Sequence, residues 1–261
     1  MAEQILETIA AATKIRVAEL KKYKSLTEVI KEAEALPKAL SLQEALSAPG
    51  LSVIAELKKA SPSKGLISPD FERLYQNQAK AYAEGGAAAI SCLTEPQWFL
   101  GKDEFLKNVR QLVQIPILRK DFTVDEYQIF EAKIIGADAV LLICSLMSQC
   151  QLEDYMSIVK EIGMSALVET HTPEEVEMAL RAGAEIIGVN NRNLRDFTVN
   201  PTNSLRLRDS IPQDKIFVAE SGIKEVSDCQ ALKAAGVNAV LIGEALMRSG
   251  NPAKFIADIN K

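Results

Sequence analysis

Gly136-Ala-Asp-Ala-Val-Leu-Leu142 is the stretch from which the fold of this chain is read. A glycine just past a helix end accepts the left-handed backbone that stops the helix, and the aliphatic run behind it begins a strand. The same junction recurs at Gly85-Gly-Ala-Ala-Ala-Ile90, Gly183-Ala-Glu-Ile-Ile-Gly-Val189 and Gly236-Val-Asn-Ala-Val-Leu-Ile242. Outward from these junctions the pattern predicts eight strands, at 52–58, 87–93, 116–120, 138–143, 165–169, 185–190, 216–220 and 238–242. The runs are short and continuous rather than alternating, as in strands covered on both faces. Helical stretches separate nearly all of them, which implies parallel βαβ units. Eight units in succession favour a closed (β/α)8 TIM barrel of class α/β over an open doubly wound sheet. No GxGxxG follows the first strand, which weakens the open sheet further.

Residues 1–48 precede the barrel and read as an N-terminal helical extension packed on it, with 49–261 as the barrel catalytic domain. Ser25-Leu-Thr-Glu28 and Ser41-Leu-Gln-Glu44 each fit a capping box opening a helix. Ile5, Leu6, Ile9, Val17 and Leu20 are the apolar residues available to face the barrel. The extension is long enough to cap the barrel bottom or to reach over its mouth, and composition does not choose. Pro69, Pro116, Pro173 and Pro212 fall at element boundaries, where proline does no harm.

Composition narrows the function. Of 261 residues, 48% are hydrophobic and only 5% aromatic, so a large aliphatic core needs no metal or disulfide to hold it. The formal charge is −5 with basic residues scattered, which lacks the basic stripe of a nucleic-acid binder. The acidic Met1-Ala-Glu-Gln-Ile-Leu-Glu7 start is no signal peptide, and no apolar run is long enough for a membrane span. Cys92, Cys144, Cys150 and Cys229 show no CxxC spacing, and Cys92 and Cys144 read as buried free thiols. A cytoplasmic protein is expected, compatible with a monomer, with no cofactor, no metal, and neither nucleic acid nor membrane as partner.

Side chains two apart on a strand share a face. Glu56 and Lys58 therefore point the same way at the end of the first strand. Lys120 ends the third, Glu169 the fifth and Glu220 the seventh, while Asn190 ends the sixth ahead of Asn191 and Arg192. All five charges come from odd-numbered strands at their C-terminal ends, where barrels of this type keep their active sites. If they face inward, two lysines against three glutamates leave one net negative charge, which Arg192 would cancel. Mixed sign is the arrangement a buried cluster requires, and crowding of this kind displaces catalytic pKa values. Glu220-Ser-Gly222 and Ile242-Gly-Glu-Ala245 lead from the last two strands into helices, where free N–H groups favour a phosphate. The one histidine, His171, reads as a loop residue beside a helix that Thr172 caps and Pro173 begins. Acid and base duties therefore fall to Lys and Glu.

Taken together, the motifs resemble one family. Val53-Ile-Ala-Glu-Leu-Lys-Lys-Ala-Ser-Pro-Ser-Lys-Gly65 is similar to the signature of the indole-3-glycerol-phosphate synthases of tryptophan biosynthesis. Leu93-Thr-Glu95 with Phe99, Leu118-Arg-Lys-Asp-Phe122, Val168-Glu169, Gly188-Val-Asn-Asn-Arg-Asn-Leu194, Ala219-Glu-Ser-Gly222 and Leu241-Ile-Gly-Glu244 extend the resemblance along the whole chain. It implies a carboxy-lyase that turns 1-(2-carboxyphenylamino)-1-deoxyribulose 5-phosphate into indole-3-glycerol phosphate, carbon dioxide and water. By resemblance Lys120 is the general acid, Lys58 with its partner Glu56 meets the substrate carboxylate and serves the dehydration, and Glu169 is a base or a stabiliser of developing ammonium. Asn190 and Glu220 would position sugar hydroxyls and the ring nitrogen. Ser221, Gly222, Gly243 and Glu244 would hold the phosphate with Ser61 on the opposite loop, and Phe99 and Phe122 would wall the aromatic ring. Arg192 would help to balance the substrate charge, and Lys58 beside Lys120 would lower the Lys120 pKa. The alternatives are another phosphate-binding barrel enzyme, such as a sugar-phosphate isomerase or a Schiff-base aldolase, or a non-catalytic binding barrel.

Overall fold

The computed structural model describes residues 5–193 and 197–261. Met1 to Gln4, part of the expected extension, lie outside the described residues. Among the described residues eight strands close into a parallel barrel: β1 (Ser52–Leu57), β2 (Ala89–Leu93), β3 (Ile117–Lys120), β4 (Ala139–Ile143), β5 (Ser165–Thr170), β6 (Ile186–Asn190), β7 (Ile216–Glu220) and β8 (Ala239–Ile242). Closure runs through β1, which pairs with β8 at Ile54 and Leu241 and with β2 at Glu56 and Ser91. All eight expected strands are present, with ends shifted by no more than two residues. Gly136, Gly183 and Gly236 adopt φ of 97°, 76° and 72°, the left-handed backbone the junctions called for.

Strand alternation divides the core in two. Outward residues such as Val53, Ile90, Val140, Val168, Ile187 and Val240 pack under the surrounding helices. Inward residues such as Ile54, Leu118, Leu141, Leu167, Ile186 and Val218 fill the barrel itself. Both faces being apolar explains the continuous runs. Cys92 and Cys144 are free and buried, as their surroundings predict.

The extension serves both ends of the barrel. Helix α1 (Ile5–Tyr23) lies over the C-terminal mouth, where Leu6 and Ile9 join the inner cluster with Phe122 and Ile143. Arg16 Nη2 donates to both oxygens of Asp121 at 2.9 Å, and Lys21 Nζ lies 2.7 Å from Asp125, both acids following β3. Val17 and Leu20 pack instead with the outer cluster. Helix α2 (Leu26–Glu34) opens on the full Ser25–Glu28 capping box and lies against the helix Tyr127–Ile134. Helix α3 (Leu42–Leu46) plugs the opposite end. Leu42 and Leu46 are fully buried in the inner cluster, and the Leu42 N–H donates to Ser165 Oγ (3.2 Å) at the start of β5. At Ser41 the structure has the hydroxyl half of the box, with Ser41 Oγ accepting from the Glu44 N–H at 3.1 Å. Thr172 caps the helix Pro173–Arg181, which proline begins. Among the described residues no helix is long and apolar enough to cross a membrane.

Leu42→Ala removes a side chain that closes the barrel bottom, far from the mouth. It is expected to cost about 2–5 kcal/mol in urea unfolding while leaving turnover by the folded enzyme unchanged.

Candidate active site at the barrel mouth

Each odd strand delivers its last inward side chain to one place. Glu56, Glu169 and Glu220 are 3%, 4% and 1% exposed, so water does not solvate their charges. Lys120 Nζ lies 2.9 Å from Glu169 Oε2 and 2.8 Å from Glu220 Oε2. Asn190 Nδ2 donates to the second Glu169 oxygen at 3.0 Å. Lys58 Nζ donates to Glu56 Oε1 at 2.5 Å, and Ser91 on β2 reaches Glu56 Oε2 at 3.4 Å. Glu56 is close enough to act electrostatically on both Lys120 and Glu220, so the two ion pairs share one site.

Backbone without side chains makes room for these groups. A Cβ at Gly188 on β6 would collide with Glu220 Oε1, and one at Gly243 would collide with Glu56 Oε1 and approach Lys58 Nζ to 2.8 Å. Glu220 Oε1 is the one buried side-chain oxygen or nitrogen that lacks a hydrogen-bond partner among the described residues. An orphaned acceptor in a dry site costs free energy unless it carries a proton or meets a ligand.

The titration of the three groups follows from this geometry. Burial opposes the Lys120 ammonium, but Glu169, Glu220 and the more distant Glu56 outweigh it and hold the group above the ordinary lysine range. The expected depression by Lys58 therefore does not occur, because Lys58 is neutralised by Glu56 and three carboxylates face Lys120. Burial pushes Glu169 up, but Lys120 and the Asn190 amide overcome it and hold the group below its usual value. Glu220, with Lys120 shared and Glu169 and Glu56 nearby, is pushed up by burial to about 7. One carboxylate of the pair stays ionised while the other holds a proton near neutrality.

The turns after β7 and β8 lie on the same rim. Ser221 and Gly222 have φ of 67° and 86°, a left-handed pair that is costly for the serine and is held by Asn191 Nδ2 donating to Ser221 O (3.0 Å). Gly243 precedes a short helix (Glu244–Arg248) and packs against Lys58. The Glu244 carboxylate turns aside to Arg248 Nε (3.2 Å), leaving its backbone on the rim. Ser61 is buried on a small hairpin in which 60–61 pair with 65–66. Phe99 and Phe122 face each other with ring centroids 6.2 Å apart. Arg192 departs from the cluster. Its N–H donates to Asn190 Oδ1 (2.9 Å) while its guanidinium donates to Phe197 O (3.3 Å). Leu194, the last residue of the Gly188–Leu194 motif, lies outside the described residues.

Three supports escaped sequence reasoning. Asn191 braces Ser221, Glu95 accepts three backbone N–H groups, and Asp121 accepts from Arg16, Thr94 and the Phe122 N–H. Each sits inside a quoted motif next to a residue with an assigned role, which was the available signal. His171 is more than a passive loop residue, since its Nδ1–H donates to the Asn190 carbonyl at 2.8 Å. A cavity of about 210 Å³ opens beside Glu169, His171 and Asn190 under Leu6. A larger one, about 560 Å³, lies at the barrel bottom by Ser41, Lys160 and Glu185, away from every converging charge.

A closed parallel barrel with an ammonium locked between carboxylates at its C-terminal mouth belongs to the class of (β/α)8 barrels, whose enzymes keep their active sites at that face. The sequence profile of the indole-3-glycerol phosphate synthase family matches residues 6–259, and the chain belongs to that family. Indole-3-glycerol phosphate synthase of Endomicrobium trichonymphae is 53% identical over 257 residues, covering 98% of this chain and 99% of that protein. Its counterpart from Ruminiclostridium cellulolyticum is 52% identical, covering 98% of each. A solved 3-hexulose-6-phosphate synthase from Salmonella typhimurium superposes with a TM-score of 0.64 at 14% identity, covering 80% of this chain and 97% of that one, which is a likeness of fold.

Two measurements probe this geometry. Glu220 is raised in the folded state, so the folded protein holds an extra proton between the ordinary carboxyl value and about 7. The stability this contributes is complete below about pH 4.5 and is lost as pH rises to about 7, on the order of 3 kcal/mol. Urea unfolding of Glu220→Gln should lack that part of the decline seen in the wild type. Gly188→Ala should displace the Glu220 carboxylate and lower kcat at least tenfold in an enzyme that still unfolds cooperatively.

Proposed function

We propose that this chain closes the indole ring, converting 1-(2-carboxyphenylamino)-1-deoxyribulose 5-phosphate into indole-3-glycerol phosphate, carbon dioxide and water. The observation that carries the assignment of roles is the Lys120 ammonium, held within 2.9 Å of both Glu169 and Glu220 at the floor of the mouth. When the aromatic carbon attacks the sugar carbonyl, negative charge grows on the carbonyl oxygen. A cation aimed at that oxygen is worth most in the transition state, which is what raises the rate. An ammonium held above its ordinary range enters the reaction fully charged, and the oxygen takes the proton as its own basicity rises during attack.

The other groups have matching tasks. Lys58, braced by Glu56, pairs with the carboxylate that leaves as carbon dioxide and then serves the dehydration. Glu169 stabilises the positive charge that develops on the ring nitrogen or takes its proton. Asn190 and Glu220 position hydroxyls and the nitrogen, with Glu220 able to exchange a proton near neutrality. Ser221, Gly222, Gly243 and Glu244 hold the phosphate through backbone N–H groups, with Ser61 facing them from the hairpin. Phe99 and Phe122 wall the aromatic ring, and Arg192 contributes long-range positive charge. The substrate brings about three negative charges, so the mouth needs Lys58, Lys120 and Arg192 together. The same reading has a barrel of 49–261 carrying an extension of 1–48. It has the enzyme working in the cytoplasm on its small-molecule substrate, with no cofactor, in a form compatible with a monomer.

Incubation with the carboxyphenylamino-deoxyribulose phosphate should produce indole fluorescence, and a lack of it overturns the proposal. Lys120→Ala should abolish detectable turnover with substrate affinity within about tenfold of wild type, measured by steady-state kinetics and equilibrium binding. Near-normal turnover in that variant removes Lys120 from the role of acid.

A further inference from the structure

The segment after β2 is built around a carboxylate for which the proposed reaction has no direct use. Glu95 is 2% exposed, and among the described residues the partners its carboxylate takes are backbone N–H groups. Its Oε1 accepts the Gln97 N–H at 2.9 Å, and its Oε2 accepts the Trp98 and Phe99 N–H groups at 2.7 and 2.9 Å. Its backbone carbonyl accepts from Gly101 N–H at 2.8 Å, closing the same turn. Three successive donors converge on one buried anion, an arrangement that replaces water as its solvation shell. Buried carboxylates are expensive, and a turn of this size has cheaper ways to close.

What the turn delivers is aromatic. It places Trp98 and Phe99 half-buried against the inner cluster, with Phe99 facing Phe122, in the same cluster that Leu6 and Ile9 of α1 join. The conformation is forced elsewhere as well. Leu100 is held at φ 53°, and a Cβ on Gly101 would run into the Leu93 carbonyl. On the other side of the wall, the buried Asp121 accepts the Phe122 N–H at 2.8 Å and Thr94 Oγ1 at 2.8 Å. Each ring of the wall thus has its backbone N–H bound by a buried acid, but only Glu95 binds the whole turn.

We propose that Glu95 is a positioning residue for substrate specificity: its carboxylate cage fixes the turn that sets Phe99 as the wall for the substrate's aromatic ring. The inference rests on the reading of Phe99 as that wall. Because the wall touches the ring before and during ring closure, its loss weakens binding of ground and transition states alike, and the effect falls on KM rather than kcat.

Glu95→Gln keeps the shape but turns an amide donor toward backbone donors. KM for the carboxyphenylamino-deoxyribulose phosphate should rise about tenfold with kcat changed less than about threefold. Emission of Trp98, the chain's one tryptophan, should shift to longer wavelength as the turn admits water. Phe99→Ala should raise KM similarly, and adding Glu95→Gln to it should raise KM less than about twofold further, since both act on one wall. Glu95→Asp, which keeps the charge on a shorter arm, should fold and give an intermediate KM; it decides the matter if Glu95→Gln does not fold. Normal KM in the folded Glu95 variants, or multiplicative effects in the double variant, overturns the role of Glu95. A normal KM for Phe99→Ala instead overturns the assignment of the wall.

Discussion

An ammonium group and its carboxylates have been taken out of water at the end of an aliphatic barrel, and the rest of the structure answers to that constraint. A buried charge is tolerable only with a partner, and breaking such a pair costs about 3–5 kcal/mol. Lys120 is therefore locked between Glu169 and Glu220, and Lys58 is locked onto Glu56. Three acids against two bases leave the set one proton short of balance. The shortage settles on Glu220, whose Oε1 faces Gly188 without a partner and whose pKa is pushed up to about 7. The inner core of Ile54, Leu118, Leu141, Leu167 and Val218 beneath supplies the favourable burial that offsets this dry cluster.

Keeping the cluster dry requires a barrel stopped at the bottom and partly covered at the top, and one extension does both. Leu42 and Leu46 of α3 stop the bottom, where Ser165 and Asp138 hold the backbone of residues 42 and 40. Leu6 and Ile9 of α1 cover part of the top, anchored through Arg16 to Asp121. Asp121 also holds Thr94 and the Phe122 N–H, so the cover is tied to the aromatic wall. The open part of the mouth is what remains between the wall, the hairpin at 60–66 and the turns after β7 and β8.

Local signals made the strands legible. Gly-Ala and Gly-Val junctions report a helix end and a strand start within a few residues, so all eight strands emerge without tertiary information. The pair Arg119–Lys120 shows how far alternation reaches. One residue apart, they take opposite faces: Lys120 points to the cluster, and Arg119 points outward to Asp103 (3.0 Å) and Glu131 (2.8 Å). The direction of the Lys120 shift was not legible. It depends on which of two neighbours, a lysine or three carboxylates, comes within a few ångströms, and strand order alone does not carry that distance. The cages around Glu95 and the brace at Asn191 were hidden for a related reason. Their partners are backbone N–H and C=O groups, which every residue has and no sequence distinguishes.

By itself the sequence determined the closed barrel, the places of its strands to within two residues and the identity of the charges that face its mouth, because periodicity and alternation are properties of short segments. Only the tertiary structure decided which acid pairs with which base, which carboxylate keeps the proton, and that the extension plugs the bottom and covers part of the mouth. Those outcomes depend on distances across the barrel, between residues as far apart in the chain as Lys120 and Glu220. Electrostatic energy in a dry site changes with each ångström of separation, so it is settled only once every strand is in place.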